Sequence, residues 1–387
     1  MALTALSIDI MLPALPNIAE HFAHTNPNDR QLVVILYFAG FGVGQLFWGP
    51  VSDRFGRIPV LLLGLLIFVC GAVIALMAQS FEMLIAGRIV QGLGSASSRV
   101  TVVAIARDLF AGAQMSRVMS LIMTVFIVVP ILAPVAGQGL LYIGDWQLHF
   151  IIMLAAGVIA LIWAWLRLPE TRPRHLRAPA DNNLWHTLRS LLGERTSMIY
   201  MLACSLMFGC LCAFIANAQQ IFGELYGLGE AFPFAFSSIA LAMAAASLTN
   251  ARIVIKRGTR VVCHAALTLF AVLSLLLMIT VTFATPPLAV FMIWLALLFF
   301  LFSLMTPNMN AIIMEPMRDY AGLASSMLGF STSLLAALGG WLIGKQYDGT
   351  LLPFAIGFAA LSLTALVLVF VAEGRHGIYS NRNEFAG

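Results

Sequence analysis

The chain has 387 residues, of which 61% are hydrophobic and 10% are charged, and its mean hydropathy is +0.95. A soluble domain carries about 25% charged residues, so this composition excludes a soluble globular protein. Long apolar stretches recur from one end of the chain to the other, which is typical of a polytopic membrane protein. The formal net charge of +4 is less informative than the places where the charges fall.

Twelve stretches are long enough to cross a bilayer as helices, since a helical span needs about 20 residues. We number them spans one to twelve, and they fall near residues 1–21, 31–50, 58–79, 83–106, 116–142, 147–168, 198–222, 231–252, 261–283, 287–312, 321–344 and 351–372. The alternating pattern of membrane β-strands is absent from the sequence. The predicted fold class is therefore an all-α polytopic membrane protein with 12 transmembrane helices.

The basic residues predict the orientation of these spans. Of the 21 Lys and Arg residues, 17 lie in the loops after even-numbered spans or in the C-terminal tail. Only Arg30 and Lys345 follow odd-numbered spans, and Arg88 and Arg99 lie inside span four. Cytoplasmic loops carry the excess of basic residues, so both termini are predicted to be cytoplasmic.

One polar, basic segment divides the chain into two halves. Residues 169–197 contain three prolines and predict a cytoplasmic linker between a six-helix bundle at 1–168 and a second at 198–372, with a cytoplasmic tail at 373–387. Residues 49–61 resemble residues 251–263 weakly, at an offset of 202. Two tandem halves suit a secondary transporter with its substrate site between them near mid-membrane.

Span one contains a charge that demands an explanation. Asp9 stands alone in the apolar stretch LTALSIDIMLPALP, ahead of Pro13 and Pro16. A charged side chain in the middle of a membrane helix costs roughly 2.5–3.5 kcal/mol on insertion scales. Such a residue is functional by default, so we predict that Asp9 carries function, next to a helix loosened by its two prolines.

The loop after span two has the pattern Gly49-x3-Asp53-Arg54-x-Gly56-Arg57. Asp53 lies at a helix C-terminus, where the macrodipole disfavours an anion, so it needs a cationic partner or a helix N-terminus. The pattern resembles the conserved cytoplasmic loop of the major facilitator superfamily, which implies a latch for the outward-facing state; a plain tight turn is the alternative. The repeated loop in the second half lacks the acid, so we expect one-sided latch chemistry.

Span four contains two arginines on nearly one helical face. Arg88, with Gln91 three residues on, opens RIVQGLG, which resembles the span-four motif of proton-coupled antiporters and implies a role for Arg88 in proton coupling. A structural arginine bonded to helix ends is the alternative. Arg99 lies about 16 Å farther along the helix. It either lines the cavity and attracts anionic substrate groups or snorkels towards the cytoplasm.

Span five contains Pro130, Ala133, Pro134 and Gly137 in the stretch VPILAPVAGQGL. Prolines kink a helix and small residues allow close approach, so a generic kinked helix is one interpretation. The stretch also resembles the span-five antiporter motif, in the Ala-Pro form of the Bcr/CflA branch of drug exporters. The fragments LPALPNIA, LPETRP, AGLASSMLGF and YDGTLLPFAIG fit the same branch and extend the resemblance over nearly the whole chain.

This resemblance implies the major facilitator fold, with two pseudo-symmetric bundles, and proton-coupled efflux of lipophilic drugs by alternating access. Asp9 and Arg88 are the predicted proton-coupling residues, with either Arg88 or Arg99 as the counter-ion of Asp9. The predicted substrate cavity, largely apolar with few polar anchors, is lined by Asp9, Tyr37, Phe41, Gln91, Arg99, Phe126 and Asn217.

The remaining expectations concern partners and alternatives. The expected partners are small lipophilic drugs, protons and the lipid bilayer of the bacterial inner membrane, with no nucleic acid, cofactor or metal, and the expected state is a monomer. The histidines lie mostly near span ends or in loops, so we expect them to be solvated or interfacial. A proton-coupled exporter of a sugar or another small metabolite is the alternative function. A membrane enzyme or receptor is disfavoured because the sequence has no catalytic constellation.

Overall fold

The computed structural model describes residues 2–23, 26–110, 112–172, 192–317 and 321–374, without the side chains of residues 27, 112, 113, 116, 120, 123, 126, 127 and 321. Most of the predicted linker, at 173–191, and residues 375–387 of the predicted tail therefore lie outside the described residues. The described chain is helical throughout its apolar stretches, and the predicted all-α fold class is confirmed.

Spans two to twelve each correspond to one helix. Spans two to twelve are the helices Leu32–Phe55, Arg57–Leu76, Phe81–Leu109, Gly112–Leu141, Gln147–Arg167, Arg195–Gln219, Phe232–Arg257, Thr259–Phe283, Leu288–Met314, Ala321–Gly344 and Leu352–Glu373. In the described residues eleven helical segments are long and apolar enough to cross a membrane, and span five contributes the shorter apolar stretch Val128–Leu141. The chain is a multi-pass membrane protein.

Span one is broken in the middle. It consists of the helices Ala2–Asp9 and Leu15–His21, joined by a 3₁₀ turn at Leu12–Ala14. Pro13 has no N–H to donate to the carbonyl of Asp9, four residues earlier, so the regular helix stops there. The predicted loosening of span one by its prolines therefore occurs directly after the buried acid.

We call the end of the bundle where span six ends and span seven begins the linker side, and the opposite end the far side. Glycines bring span four close to its neighbours: a Cβ on Gly92 would lie 2.2 Å from the carbonyl oxygen of Tyr37 on span two, and one on Gly94 would lie 2.3 Å from the backbone nitrogen of Phe68 on span three. Association of helices in membranes depends on such close packing of small residues. Span four is thereby fixed with one face on span two and another on span three.

Two pairs of spans join the halves. Span two packs along span eleven, and span five packs on span eight. Hydrogen bonds between the halves lie on the far side, where span seven also takes part, and in the middle of span two. There Gln45 donates to Ser333 Oγ at 2.9 Å and to the carbonyl of Gly329 at 3.2 Å. On the linker side of Gln45, the described residues show no hydrogen bond between the halves. The halves are thus joined most firmly at the far side.

Candidate functional site

Asp9 lies at the last position of the first helical segment of span one, and only 5% of its surface is exposed. Its side chain makes no hydrogen bond or ion pair with the described residues. A buried carboxylate without a partner is costly, whereas the protonated acid costs much less. Asp9 is therefore placed where a change of charge must be accompanied by a change of surroundings.

Arg88 is wholly buried and connects its own helix to spans one and two. Its Nη2 donates to the carbonyl of Ser7 on span one at 2.8 Å and its Nε donates to the carbonyl of Val33 on span two at 2.9 Å. Its Nη1 donates to Gln91 Oε1 at 2.7 Å. The guanidinium lies 4.5 Å from the ring centre of Tyr37, within the range of a cation–π interaction.

The contacts of Arg88 show whether it is the counter-ion of Asp9. The partners of Arg88 are two carbonyl oxygens and an amide, so Arg88 is not bonded to the carboxylate of Asp9 in this conformation. It holds instead the carbonyl of Ser7, two residues before Asp9 in the turn that precedes the break of span one. An arginine keeps its charge when buried and needs acceptors of this kind. Arg88 is connected to Asp9 through the backbone of span one rather than by an ion pair.

The other residues predicted to line the cavity are mostly buried. Tyr37 is packed under Arg88, with its hydroxyl donating to Ser95 Oγ at 2.8 Å, and Phe41 stacks beside it. Gln91 lies between Arg88 and Met153. These three side chains support the arginine in this conformation, and their role as cavity residues stays a prediction. The side chain of Phe126 lies outside the described residues.

Arg99 differs from Arg88 in one respect: its side chain is exposed. It projects from the helical face of span four that also carries Arg88 and Ser95, both of which are buried. The same face is therefore closed towards the far side and accessible towards the linker side.

The loop between spans two and three is bound inside the first half. Arg57 is paired with Asp53 at 2.7 Å and with Asp108, at the end of span four, at 3.1 Å. Asp53 also binds Arg172, which follows span six. The sequence predicts that Asp53 needs a cation, and the structure provides two, while Arg54 is exposed over the ring of Phe55.

Two acids of this cluster, Asp108 and Glu170, were not predicted as site residues. Glu170 accepts hydrogen bonds from the backbone N–H groups of Arg57 at 2.9 Å and Ile58 at 3.2 Å, so it caps the start of span three. An anion at a helix N-terminus is favourable. The fragment LPETRP, which contains Glu170, was the available sequence signal. Gly56 lies between the two helices at a φ of 107°, a conformation that favours glycine.

The second half has a matching cluster, so the expected one-sided charge chemistry is wrong. Arg260, at the start of span nine, is paired with Glu373 at 2.5 Å and with Glu315 at 3.4 Å. These acids follow spans twelve and ten, as Glu170 and Asp108 follow spans six and four. The repeated loop itself lacks an acid, but other helix ends supply one, which the loop sequence alone could not indicate.

A buried cluster of side-chain amides closes the far side. This far-side amide cluster consists of Asn28 and Gln31 from the first half and Asn217 and Gln220 from the second. Gln31 Nε2 donates to Asn217 Oδ1 at 3.0 Å and also to Gln220 Oε1, and Gln220 Nε2 donates to Asn28 Oδ1 at 2.8 Å. Asn217, predicted to line the cavity, belongs to this contact between the halves.

Charged and aromatic groups surround the amide cluster. Arg30 is paired with Glu224, and the hydroxyl of Tyr142 donates to Glu230 at 2.7 Å, a bond that raises the pKa of Tyr142. Glu224 lies in a π-helix at Gln220–Leu225, which continues span seven. Such π-helical turns occur frequently at functional sites. Both glutamates are exposed and take part in contacts between the halves.

The span-five motif forms the contact with span one. Ala133, Pro134 and Gly137 are buried, Pro130 is partly buried, and a Cβ on Gly137 would lie 2.2 Å from the carbonyl oxygen of Ile10. The carbonyl of Gly137 also bonds His149 Nε2 at 2.9 Å. His149 is wholly buried, and His264 is buried as well, beside the hydroxyl of Tyr200. The expectation of solvated or interfacial histidines is wrong for these two residues.

The chain is similar to bacterial drug-resistance proteins. It is 28% identical over 378 residues to a bicyclomycin resistance protein homolog of Haemophilus influenzae, covering 97% of this chain and 94% of the relative. It is also 28% identical over 376 residues to the multidrug resistance protein MdtL of Escherichia coli, covering 95% and 92%.

Solved structures share the fold at low sequence identity. The human organic anion transporter MFSD10 gives a TM-score of 0.70 at 20% identity, covering 96% of both chains. A partially occluded inward-open form of the xylose transporter XylE from E. coli gives a TM-score of 0.72 at 13% identity, covering 96% of this chain and 94% of that one. At these identities the likeness concerns the fold alone. The profile of the Major Facilitator Superfamily matches residues 1–340, and the chain therefore belongs to this superfamily of membrane transporters.

Proposed function

We propose that this protein exports small lipophilic drugs across the bacterial inner membrane in exchange for protons. The observation that carries the proposal is the position of Asp9, an acid buried without a bonded partner at the break of span one. The printed names of the relatives, which refer to bicyclomycin and multidrug resistance, support drugs as the substrates. Both termini lie in the cytoplasm in this proposal, in agreement with the distribution of basic residues.

Proton exchange depends on the two charge states of Asp9. The protonated acid suits the buried site, whereas the carboxylate needs water or a cation. When the site faces the cytoplasm, the acid releases its proton, and the carboxylate then competes for the guanidinium of Arg88. Because Arg88 holds the carbonyl of Ser7 on the same helix, this competition bends span one at its break. A substrate that enters the cavity favours the deprotonated form, and a proton from outside restores the neutral acid.

Alternating access requires that the two six-helix bundles, at 1–168 and 198–372, rotate against each other as units. With the termini in the cytoplasm, the far side faces outwards, and the amide cluster is the closed outer gate of an inward-facing conformation. We further propose that the loop from Gly49 to Arg57 acts as the latch of the opposite conformation. Gly49 already lies against the other half in this conformation, since a Cβ there would lie 2.4 Å from Ser326 Oγ on span eleven. The protein acts as a monomer in this proposal.

The test compares Asp9→Asn with the wild type in proteoliposomes that contain a pH-sensitive dye. Addition of a transported drug moves protons in wild-type vesicles, and Asp9→Asn abolishes this movement because the amide cannot titrate. Asp145→Asn, at an exposed loop position, is the matched control and keeps the wild-type signal. Normal drug-driven proton movement in Asp9→Asn would exclude Asp9 as the proton carrier. A wild type that confers no resistance and moves no drug would refute the function itself.

A further inference from the structure

We infer that Arg99 lines the transport cavity and selects substrates that carry an anionic group. The inference deepens the proposed drug export and rests on it, because it names the chemical class of the substrate. It is carried by the position of Arg99 on span four, by its accessibility and by the charges inside the membrane.

The packing of span four shows which way Arg99 points. One face of this helix is covered by span two, through Gly92 and Ala96, and another is covered by span three, through Gly94 and Ser97. Arg99 comes seven residues after Gly92, so it lies at the edge of the face covered by span two, on the side away from Ala96, and not on the face covered by span three. Eleven residues correspond to just over three full turns, so Arg99 returns to the face of Arg88, which points to span one.

The surroundings of Arg99 distinguish a cavity from the lipid surface. Arg99 shares the helical face of Arg88 and Ser95, both of which are buried inside the bundle, and yet its own side chain is accessible. An accessible side chain inside a bundle borders an internal space. A cation directed to lipid at this depth would cost roughly 2.5–3.5 kcal/mol, so arginines within spans normally face a bundle interior or a water-filled cavity. This position favours a cavity-lining arginine over one that snorkels towards the cytoplasm.

The charges deep in the spans are unbalanced. Among the Asp, Glu, Lys and Arg residues, the three farthest from the span ends are Asp9, Arg88 and Arg99. The ion pairs Arg30–Glu224, Arg57–Asp108 and Arg260–Glu373 lie at the two ends of the bundle. Two arginines and one carboxylate leave the interior net positive even while Asp9 is deprotonated, the form that the substrate favours in the proposed exchange. Arg88 is enclosed by its backbone acceptors and is wholly buried. Arg99 is thus the deep cation that a substrate can reach.

The chemistry of the guanidinium defines the substrate class. Its planar set of donors matches a carboxylate, a sulfonate or a phosphate with two parallel hydrogen bonds, and charge-assisted bonds of this kind are about twice as strong as neutral ones. The remainder of the cavity is expected to be apolar. The matching substrate is a lipophilic molecule with one anionic group. A neutral ester of the same molecule has a similar size and shape but no charge.

The experiment measures export of a fluorescent lipophilic carboxylic acid and of its methyl ester by reconstituted protein. Arg99→Gln should lower export of the acid about tenfold or more, because the charge-assisted hydrogen bonds to the carboxylate are lost. It should change export of the ester less than about twofold. Arg99→Lys should fall between the two because it keeps the charge but not the planar donors. Arg107→Gln, which removes an exposed arginine at the end of the same helix, is the control and should leave both compounds unaffected.

Binding to the purified protein provides a second measurement. Arg99→Gln should weaken binding of the acid by a similar factor and leave binding of the ester unchanged, which separates lost recognition from misfolding. Equal effects on acid and ester, or no effect on either, would overturn the inference. If the wild type exports drugs and Arg99→Gln exports the acid normally, the inference alone is refuted. If the wild type exports nothing, the proposed function is refuted.

Discussion

The far-side amide cluster leads to a quantitative prediction about Gln31. Its Nε2 donates to Asn217 and Gln220, and all three side chains are about 1% exposed. In Gln31→Leu the two amide oxygens lose this donor while they remain buried in the closed conformation. A buried acceptor without a partner costs about 1–3 kcal/mol. Two such acceptors destabilise the closed far side by at least about 2 kcal/mol, whereas water satisfies both of them once the gate opens.

This difference shifts the conformational equilibrium. Because about 1.4 kcal/mol corresponds to a factor of ten, the population open at the far side should rise by roughly thirtyfold. The opening can be measured in a variant without native cysteines that carries spin labels on cysteines introduced at Met77 and Phe283. These are exposed positions at the far ends of spans three and nine, and the distance between the two labels should become longer. Labels at Leu166 and Ile255, on the linker side, should report a shorter distance.

Gln346→Leu is the matched control, since Gln346 is an exposed glutamine on the same side of the protein that bonds only its own helix, at the carbonyl of Leu342. It should leave both distance distributions unchanged. If Gln31→Leu gives the wild-type distributions at both ends, the amide cluster contributes nothing to closure, and the reasoning from buried acceptors is wrong.

Further predictions concern the contacts around span one and Arg88. Gly137→Ala should abolish drug-coupled proton movement or the folded state, because its Cβ would lie 2.2 Å from the carbonyl oxygen of Ile10; Gly139→Ala, whose Cβ would meet nothing within 4 Å, should behave like the wild type in the same assays. Arg88→Lys should lower the stability of the purified protein by about 2 kcal/mol or more, because one ammonium group cannot reach both carbonyl oxygens and Gln91. Thermal unfolding measures this loss, and an unchanged midpoint would show that these bonds are dispensable. Gly344→Ala should open the far side as Gln31→Leu does, since its Cβ would lie 1.6 Å from Gln31 Oε1; spin-label distances that match the wild type would contradict this.

The sequence alone determined the number and nature of the helices. Bilayer thickness requires long apolar stretches, and these are visible in a linear sequence without any knowledge of packing. The rarity of charges inside spans also made Asp9, Arg88 and Arg99 conspicuous, and the macrodipole indicated that Asp53 needs a cation. Each of these conclusions depends on a cost that a residue meets locally, within its own helix or at its depth in the membrane.

Only the tertiary structure decided which groups bind one another. Arg88 takes the carbonyl of Ser7 rather than the carboxylate of Asp9, and Asn217 joins Gln31 from the other half. Glu373 reaches Arg260 from a helix end more than a hundred residues away. Hydrogen bonds and ion pairs act over about 3 Å, and the chain brings such groups together only when the helices are packed. The sequence indicated which residues needed partners, and the packing of the twelve spans selected them.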